Sequence, residues 1–326
     1  MKLTNKSFEI YTEAKTAIEE VLSMSSFIEK IIGFFKESKS TGKHIPTIFT
    51  LAGCSRCRIV KEYMKDHEIP YLEKDAGAPG KQDFHQFHME NFDTLTHGPR
   101  GCISFPIYVN KTIIHQGISN VLAYLTSEDR LAGFFNVGYM VGWIDGIHVS
   151  GGNPEYAEEF LAILRYLKGN SINLQIDTNG KNSKILKQVL DEGLADSVIM
   201  DVLGPRTLYS EILGEEISLD EVEKSMVLLT KFPKYQFQTT ILPVNRHEEG
   251  SPAVSYLTIK EVEETALFIK EATDSMKEPY LLKRFDPEET DQDLETGELL
   301  DFNKLFPYRS GARKHQVFTE IEPEQP

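Results

Sequence analysis

The stretch Ile48-Phe-Thr-Leu-Ala-Gly-Cys-Ser-Arg-Cys-Arg-Ile-Val-Lys61 decides how this chain is read. A strand over 46–51 runs into Gly53, and a helix over 54–65 opens on the first of two cysteines spaced Cys-x-x-Cys. A helix N-terminus offers unpaired N–H groups and the positive end of the helix dipole, and both favour a thiolate at Cys54. Arg56 and Arg58 add positive charge close by. Cys57, one turn further in, is placed to attack a mixed disulfide on Cys54 and release a reduced substrate. The same spacing can serve as half of a zinc site, but the chain has no second such pair. Four zinc ligands would require Cys102 and a histidine from Phe84-His85-Gln-Phe-His88.

Outward from this turn the order is βαβαββα. A strand follows over 71–74, a helix around 82–92, a strand over 107–109, a tight Asn110-Lys111 turn, a strand over 112–114 and a helix over 119–125. Upstream, Ser38-Lys-Ser-Thr-Gly-Lys43 reads as a linker. Before it, residues 8–37 carry apolar side chains at helical spacing, from Ile10 and Ala14 to Ile31 and Phe34. Ser23-Met-Ser-Ser26 interrupts them, and Ser26 with Glu29 forms a capping box. This helical pair is expected to cover a neighbouring domain or a partner, the former favoured because a stripe of this period usually faces its own protein. Downstream, strands over 146–149, 173–177, 197–201, 235–242 and 280–285 alternate with helical patterns near 156–168, 182–193, 218–231 and 258–273. Such alternation implies a parallel sheet with functional groups at the strand C-termini. The expected organisation is a helical segment 1–43, a first domain 44–130, a second 131–287 and an acidic, irregular tail 288–326. Asp291, Asp293 and Glu295 in that tail are spaced like a calcium loop but lack its central glycine, so they read as solvated charge.

The 326 residues are 40% apolar, 10% aromatic and 26% charged, enough to build two ordinary cores. Three cysteines exclude a disulfide scaffold. A net charge of −15 speaks against a nucleic-acid backbone or an anionic membrane as partner. Residues 1–130 carry 16 basic and 16 acidic side chains, so the whole excess lies in 131–326, consistent with two modules of different surface. No apolar run reaches membrane-spanning length, and Met1-Lys-Leu-Thr-Asn-Lys6 lacks a signal-peptide core, so a cytoplasmic protein is expected.

Residues 45–128 resemble glutaredoxins and the small thioredoxin-fold family. The active-site turn, His67-Glu-Ile-Pro-Tyr-Leu-Glu-Lys-Asp75, Ser104-Phe-Pro-Ile-Tyr-Val109 and Ile114-His-Gln-Gly-Ile-Ser-Asn-Val-Leu122 carry the resemblance. It implies that Cys54 is the nucleophile, that Cys57 resolves the mixed disulfide, and that Phe105-Pro106 is the family's cis-proline segment facing the dithiol. Cys102 is either a third redox thiol beside that segment or a buried structural cysteine. Two departures stand out. Ser55-Arg56 replaces the usual Pro-Tyr, and Ser119-Asn120 replaces the acidic pair of glutathione-binding members.

Residues 141–287 resemble the radical S-adenosylmethionine activating enzymes. The closest likeness is to the anaerobic ribonucleoside-triphosphate reductase activating proteins, with pyruvate formate-lyase activating enzymes next. Asp145-Gly-Ile-His-Val-Ser-Gly-Gly-Asn-Pro154 is similar to their Gly-Gly-Glu-Pro strand, and Leu174-Gln-Ile-Asp-Thr-Asn-Gly180 to their Thr-Asn-Gly strand. Ala195-Asp-Ser-Val-Ile-Met-Asp-Val202, Phe237-Gln-Thr-Thr-Ile-Leu-Pro243 and Tyr280-Leu-Leu-Lys-Arg-Phe285 follow in family order. The resemblance implies a partial (β/α) TIM-type barrel and a cofactor site at Gly151, Gly152, Asn153, Thr178, Asn179 and Asp201. The family's Cys-x-x-x-Cys-x-x-Cys, whose thiolates hold a [4Fe–4S] cluster, has no counterpart: residues 103–326 contain no cysteine. Asn153 and Gln238 also stand where the family has Glu and Arg.

The fold expected is α/β: a thioredoxin-like (glutaredoxin) domain, a partial barrel of radical S-adenosylmethionine ancestry and an N-terminal helical segment. The function expected is a dithiol oxidoreductase joined to a degenerate activase-like docking domain. Its protein disulfide substrate would be a glycyl-radical enzyme or ribonucleotide reductase, and a thiol or flavin reductase would supply electrons. No cofactor is assigned beyond residual binding of S-adenosylmethionine. One alternative is an activating-enzyme component whose [4Fe–4S] cluster comes from another subunit or from Cys54, Cys57 and Cys102 together. The other is a zinc-stapled binding module without catalysis.

Overall fold

The structure is a computed structural model and describes residues 44–77, 80–98, 101–137, 146–214, 216–248, 251–286 and 300–323. The expected N-terminal helical pair and the calcium-like cluster at 291–295 lie outside the described residues.

The first sheet has strands β1 (Thr47–Thr50), β2 (Leu72–Asp75), β3 (Ile107–Asn110) and β4 (Ile113–Gln116) in the order β2-β1-β3-β4. β1 and β2 are parallel, whereas β3 is antiparallel to both β1 and β4. Helix α1 (Ser55–Asp66) connects the parallel pair, α2 (Lys81–Glu90) precedes β3, and α3 (Ile118–Ser127) follows β4. α1 is amphipathic, burying Cys57, Ile59, Val60 and Met64 at one-turn spacing, while Arg58 and Glu62 pair on its outer side.

A short antiparallel pair, β5 (Phe135–Asn136) and β6 (Gly146–Ile147), leads into α4 (Ala157–Gly169). Five parallel strands then form the second sheet, in the order β13-β12-β9-β8-β7: β7 (Gln175–Thr178), β8 (Ser197–Asp201), β9 (Tyr235–Ile241), β12 (Tyr280–Arg284) and β13 (Thr319–Ile321). Helices α5 (Ser183–Asp191), α6 (Tyr209–Leu213), α7 (Leu219–Leu229), α8 (Ile259–Thr273) and α9 (Leu305–Ala312) connect them, and a hairpin of β10 (Pro243–Glu248) and β11 (Ser251–Tyr256) extends beyond β9.

Register makes the two faces of this sheet unlike. Ile176, Val198, Met200, Phe237 and Leu282 are fully buried with Leu164, Leu186, Val222 and Val262 from the helices. The alternate positions, Asp177, Ile199, Asp201, Gln238, Thr240 and Lys283, share the opposite face and are only half-buried. Period-2 alternation thus places polar groups on one side of an otherwise apolar sheet.

The expected irregular tail is corrected. Residues 300–323 supply α9 and β13, and β13 adds an edge strand to the second sheet because its backbone pairs with β12 through Tyr280↔Thr319 and Leu282↔Ile321. The acidic composition hid this. Charged Glu320 and Glu322 sit on the half-open face, so the segment needs few apolar residues to be ordered.

The two sheets share one continuous apolar cluster, from Ile48 and Val121 to Phe160 and Leu164. Tyr166 of α4 donates its hydroxyl to the Ile59 carbonyl of α1 at 3.1 Å and meets Tyr63 edge-on at 5.2 Å. α8 starts on a complete capping box: the Thr258 hydroxyl accepts from Glu261 N, and the Glu261 carboxylate accepts from Thr258 N at 2.7 Å. Thr258→Ala should therefore cost about 1 kcal/mol in urea unfolding. An unchanged midpoint would mean that this cap adds nothing to stability.

Candidate functional site

Cys54 is the N-cap of α1 in extended conformation, and Gly53 before it takes φ 77, which a side chain would resist. The Cys57 backbone N–H donates to Cys54 Sγ at 3.1 Å, so the first turn of the helix points a donor at this sulfur. Cys54 and Cys57 form a disulfide with their Cα atoms 5.3 Å apart. Cys54 is partly accessible, whereas Cys57 is 1% exposed. No acidic residue stands in the first turn of the helix to oppose a thiolate. The Phe105–Pro106 peptide is cis, as expected, and the Pro106 carbonyl accepts from Gly117 N at 2.9 Å. Phe105 packs against Phe84 with ring centroids 5.3 Å apart.

Cys102 is a free, exposed thiol, which corrects the alternative of a buried structural cysteine: its neighbours Ile103 and Phe105 pack against the Phe49–Leu95–Ile107 cluster, and Cys102 does not. The zinc set considered from sequence is not assembled. The first two thiols are joined to each other, and His88 Nε2 is 3.0 Å from His97 Nε2 in a hydrogen bond. Among the described residues, no three His, Cys, Asp or Glu side chains are grouped to hold a metal.

The second candidate site lies at the C-terminal ends of β6, β7 and β8. It is a cleft of about 320 Å³ lined by His148, Ser150, Gly151, Asp177, Thr178 and Asp201, among others. A hydroxyl pair forms its base. Ser150 Oγ and Thr178 Oγ1 are 2.8 Å apart, Ser150 Oγ accepts from Asn179 N, and Thr178 Oγ1 accepts from Gly180 N. Buried Tyr209 donates to the carbonyls of Asn179 and Asp201 at 2.9 and 3.2 Å, which ties the loops after β7 and β8 together.

Two carboxylates face the cleft from adjacent strands. Burial pushes Asp177 up to about 7, and the charge of Asp201 adds to the rise while Lys283 opposes it. Burial also raises Asp201, against a 2.6 Å hydrogen bond from Gln238 Nε2 and the charge of Lys283. His148 Nδ1 is 3.8 Å from Asp177, its Nε2 is buried without a partner, and burial lowers its pKa. The arrangement can hold and exchange a proton near neutral pH at the mouth of a parallel sheet.

Of the positions expected from sequence, Gly151, Thr178, Asn179 and Asp201 line this cleft, and Gly152 and Asn153 do not. Gly152 is buried beneath the Phe134 ring. Asn153 is exposed and caps the turn Pro154–Tyr156, its Oδ1 accepting from Glu155 N at 3.0 Å. Sequence reasoning missed Asp177, His148 and Lys283 as site residues. A signal for the carboxylate was present, because Asp177 alternates with apolar neighbours in Leu174-Gln-Ile-Asp-Thr178.

No family model matches the chain. A curated relative does. Over 152 residues, 44% of its length, the chain is 26% identical to a protein of Methanocaldococcus jannaschii named "Putative glycyl-radical enzyme activating enzyme". The match covers 56% of that protein, so the chain spans about half the length of the curated relative. Among solved structures, a domain of pyruvate-formate lyase-activating enzyme from Bacteroides vulgatus aligns with 55% of this chain and 99% of its own at 15% identity and a TM-score of 0.38.

A [4Fe–4S] cluster needs soft thiolate ligands. The cleft offers imidazole, hydroxyl and carboxylate groups, and all three cysteines of the chain lie elsewhere, two of them bonded to each other. The residues present do not fit the cluster.

Proposed function

We propose that this chain serves a glycyl-radical system, as a relative of its activating enzymes, and that the redox group it contributes is the Cys54–Cys57 dithiol. The sequence match supports the activating-enzyme side of this reading more than the oxidoreductase side. The observation that carries the dithiol side is a cysteine pair bonded across the first turn of α1, with an N–H aimed at the more accessible sulfur. The βαβαββα order and the β2-β1-β3-β4 sheet support a glutaredoxin-like unit over 44–130, and the parallel sheet a partial barrel beside it.

In this reading the Cys54 thiolate attacks a disulfide of a partner protein, forms a mixed disulfide and releases one partner thiolate. Cys57 then attacks Cys54 Sγ, which releases the second partner thiol and closes the Cys54–Cys57 disulfide. Two electrons pass to the partner, and a thiol or flavin-linked reductase returns them. The second sheet selects the partner and raises the local concentration of the dithiol.

Thiol titration tests the proposal. The native oxidised chain should give one reactive thiol, from Cys102, and the reduced and desalted chain three, with return to one after incubation with a protein disulfide. A stoichiometric zinc ion with no thiol cycling would overturn it in favour of the stapled module.

A further inference from the structure

Gly151 and Gly152 are the turn at which the resemblance places a cofactor against bare backbone. On the side where a Cβ would stand the chain itself occupies the space, although Gly151 still borders the cleft on its other side. A Cβ built on Gly151 would stand 2.1 Å from the Gly133 carbonyl oxygen, and one on Gly133 would stand 2.2 Å from the Gly151 carbonyl oxygen. A Cβ on Gly152 would fall 2.1 Å from the Phe134 ring. That ring has nowhere to go: Phe134 is fully buried and stacked on buried Phe160 of α4 at 4.4 Å. His148 N donates to the Phe134 carbonyl at 2.8 Å, and β5 continues the contact through Phe135↔Ile147.

We infer that the Gly151-Gly152 turn is an internal clamp that fixes Gly133 and Phe134 against the start of α4, and that this chain brings no iron–sulfur cluster to its glycyl-radical system. The glycines are needed because two backbones and an aromatic ring meet there at van der Waals distance, a requirement independent of any ligand. Asn153, next in the turn, turns its side chain to Glu155, with the Nδ2 3.4 Å from a carboxylate oxygen. The carboxyl groups that line the cleft, Asp177 and Asp201, and the imidazole of His148 supply no thiolate to hold iron–sulfide. The second half of the inference rests on the glycyl-radical reading: a radical step in such an assembly belongs to another chain, for which this one is the partner. The clamp stands without that reading.

Two measurements separate the parts. Gly152→Ala should lower the thermal midpoint by about 4–8 °C, as expected for overpacking a tight core. In a Phe134→Ala background the same substitution should shift it by about 1 °C or less, since the obstructing ring is gone. Equal shifts in both backgrounds would overturn the clamp. Full-length protein incubated anaerobically with iron, sulfide and reductant should retain no four-iron cluster after desalting and release no 5′-deoxyadenosine from S-adenosylmethionine. A reproducible [4Fe–4S] absorption would overturn the second half, and thiol cycling in the same sample would show whether the dithiol reading survives it.

Discussion

Cys54→Ser should reduce disulfide reductase activity by at least about 10³-fold, whereas Cys57→Ser should leave one half-turnover and accumulate a mixed disulfide on Cys54. The asymmetry comes from position. Cys54 Sγ receives the Cys57 N–H at 3.1 Å and sits at the positive end of a 12-residue helix, while Cys57 Sγ is packed one turn inside. A thiolate at a helix N-terminus is stabilised, and the thiolate is the nucleophile. Removing it leaves, of the pair, only a buried thiol that a protein disulfide cannot reach. Removing Cys57 leaves attack intact but takes away the group that resolves it. Mass spectrometry of each variant after exposure to a model protein disulfide reads this directly, and brief alkylation of the reduced protein at mildly acidic pH should label Cys54 first. In a Cys102→Ser background, which removes the exposed third thiol, an adduct on the Cys54→Ser variant, or labelling of Cys57 before Cys54, would reverse the roles. Steady loss in both variants without any trapped adduct would remove thiol exchange from the proposal and leave the activating-enzyme relationship standing alone.

How much of this was legible in the residues differs between the two sites. The placement of the cysteine pair at a helix start was readable because it is local: two cysteines, the glycine before them and the start of the helix lie within five positions. Strands β8 and β9 and helix α8 were placed within a residue or so at their starts, because Ser197–Asp201, Tyr235–Ile241 and Ile259–Thr273 combine strong periodicity with clear ends. The cleft was only half legible. Thr178 and Asp201 stand in recognisable motifs, but the charge of Lys283 acts on Asp177 and Asp201 only because β12 pairs with β9, and β9 with β8, in one register, Lys283↔Thr240 and Asp201↔Gln238. Lateral sheet order is a long-range property that a linear pattern does not carry. Gly152 misled for a related reason. A glycine needed for close approach looks the same in sequence whether the approaching atom belongs to a ligand or to Phe134, 18 positions upstream. The last strand was missed because β13 is three residues long and alternates charge with burial.

The second large effect should appear in stability against pH. Asp177 has an ordinary value of 3.8 and is pushed up to about 7 in the fold, first by burial and then by Asp201. Between these values the folded chain holds a proton that the unfolded chain has lost, so stability must fall as pH rises from about 4 to about 7 and level off above. The full span corresponds to about 4 kcal/mol, and the 23% exposure of the Asp177 side chain leaves an expected loss of about 2–4 kcal/mol after solvent screening. Asp177→Asn keeps the shape and removes the ionisation. The variant should match the parent near pH 4, where both carry an uncharged group, and exceed it by about 2–4 kcal/mol at pH 8 in urea unfolding. Parallel pH profiles for parent and variant would refute the shared burial of this carboxyl pair. Lys283 gives the sign an independent check. Its charge lowers both Asp177 and Asp201, so Lys283→Met should steepen the loss with pH, whereas a merely structural lysine would shift the curve uniformly. Two carboxyl groups on adjacent strands beside a 320 Å³ cleft, each raised by burial, thus set a stability that declines as pH rises above about 4.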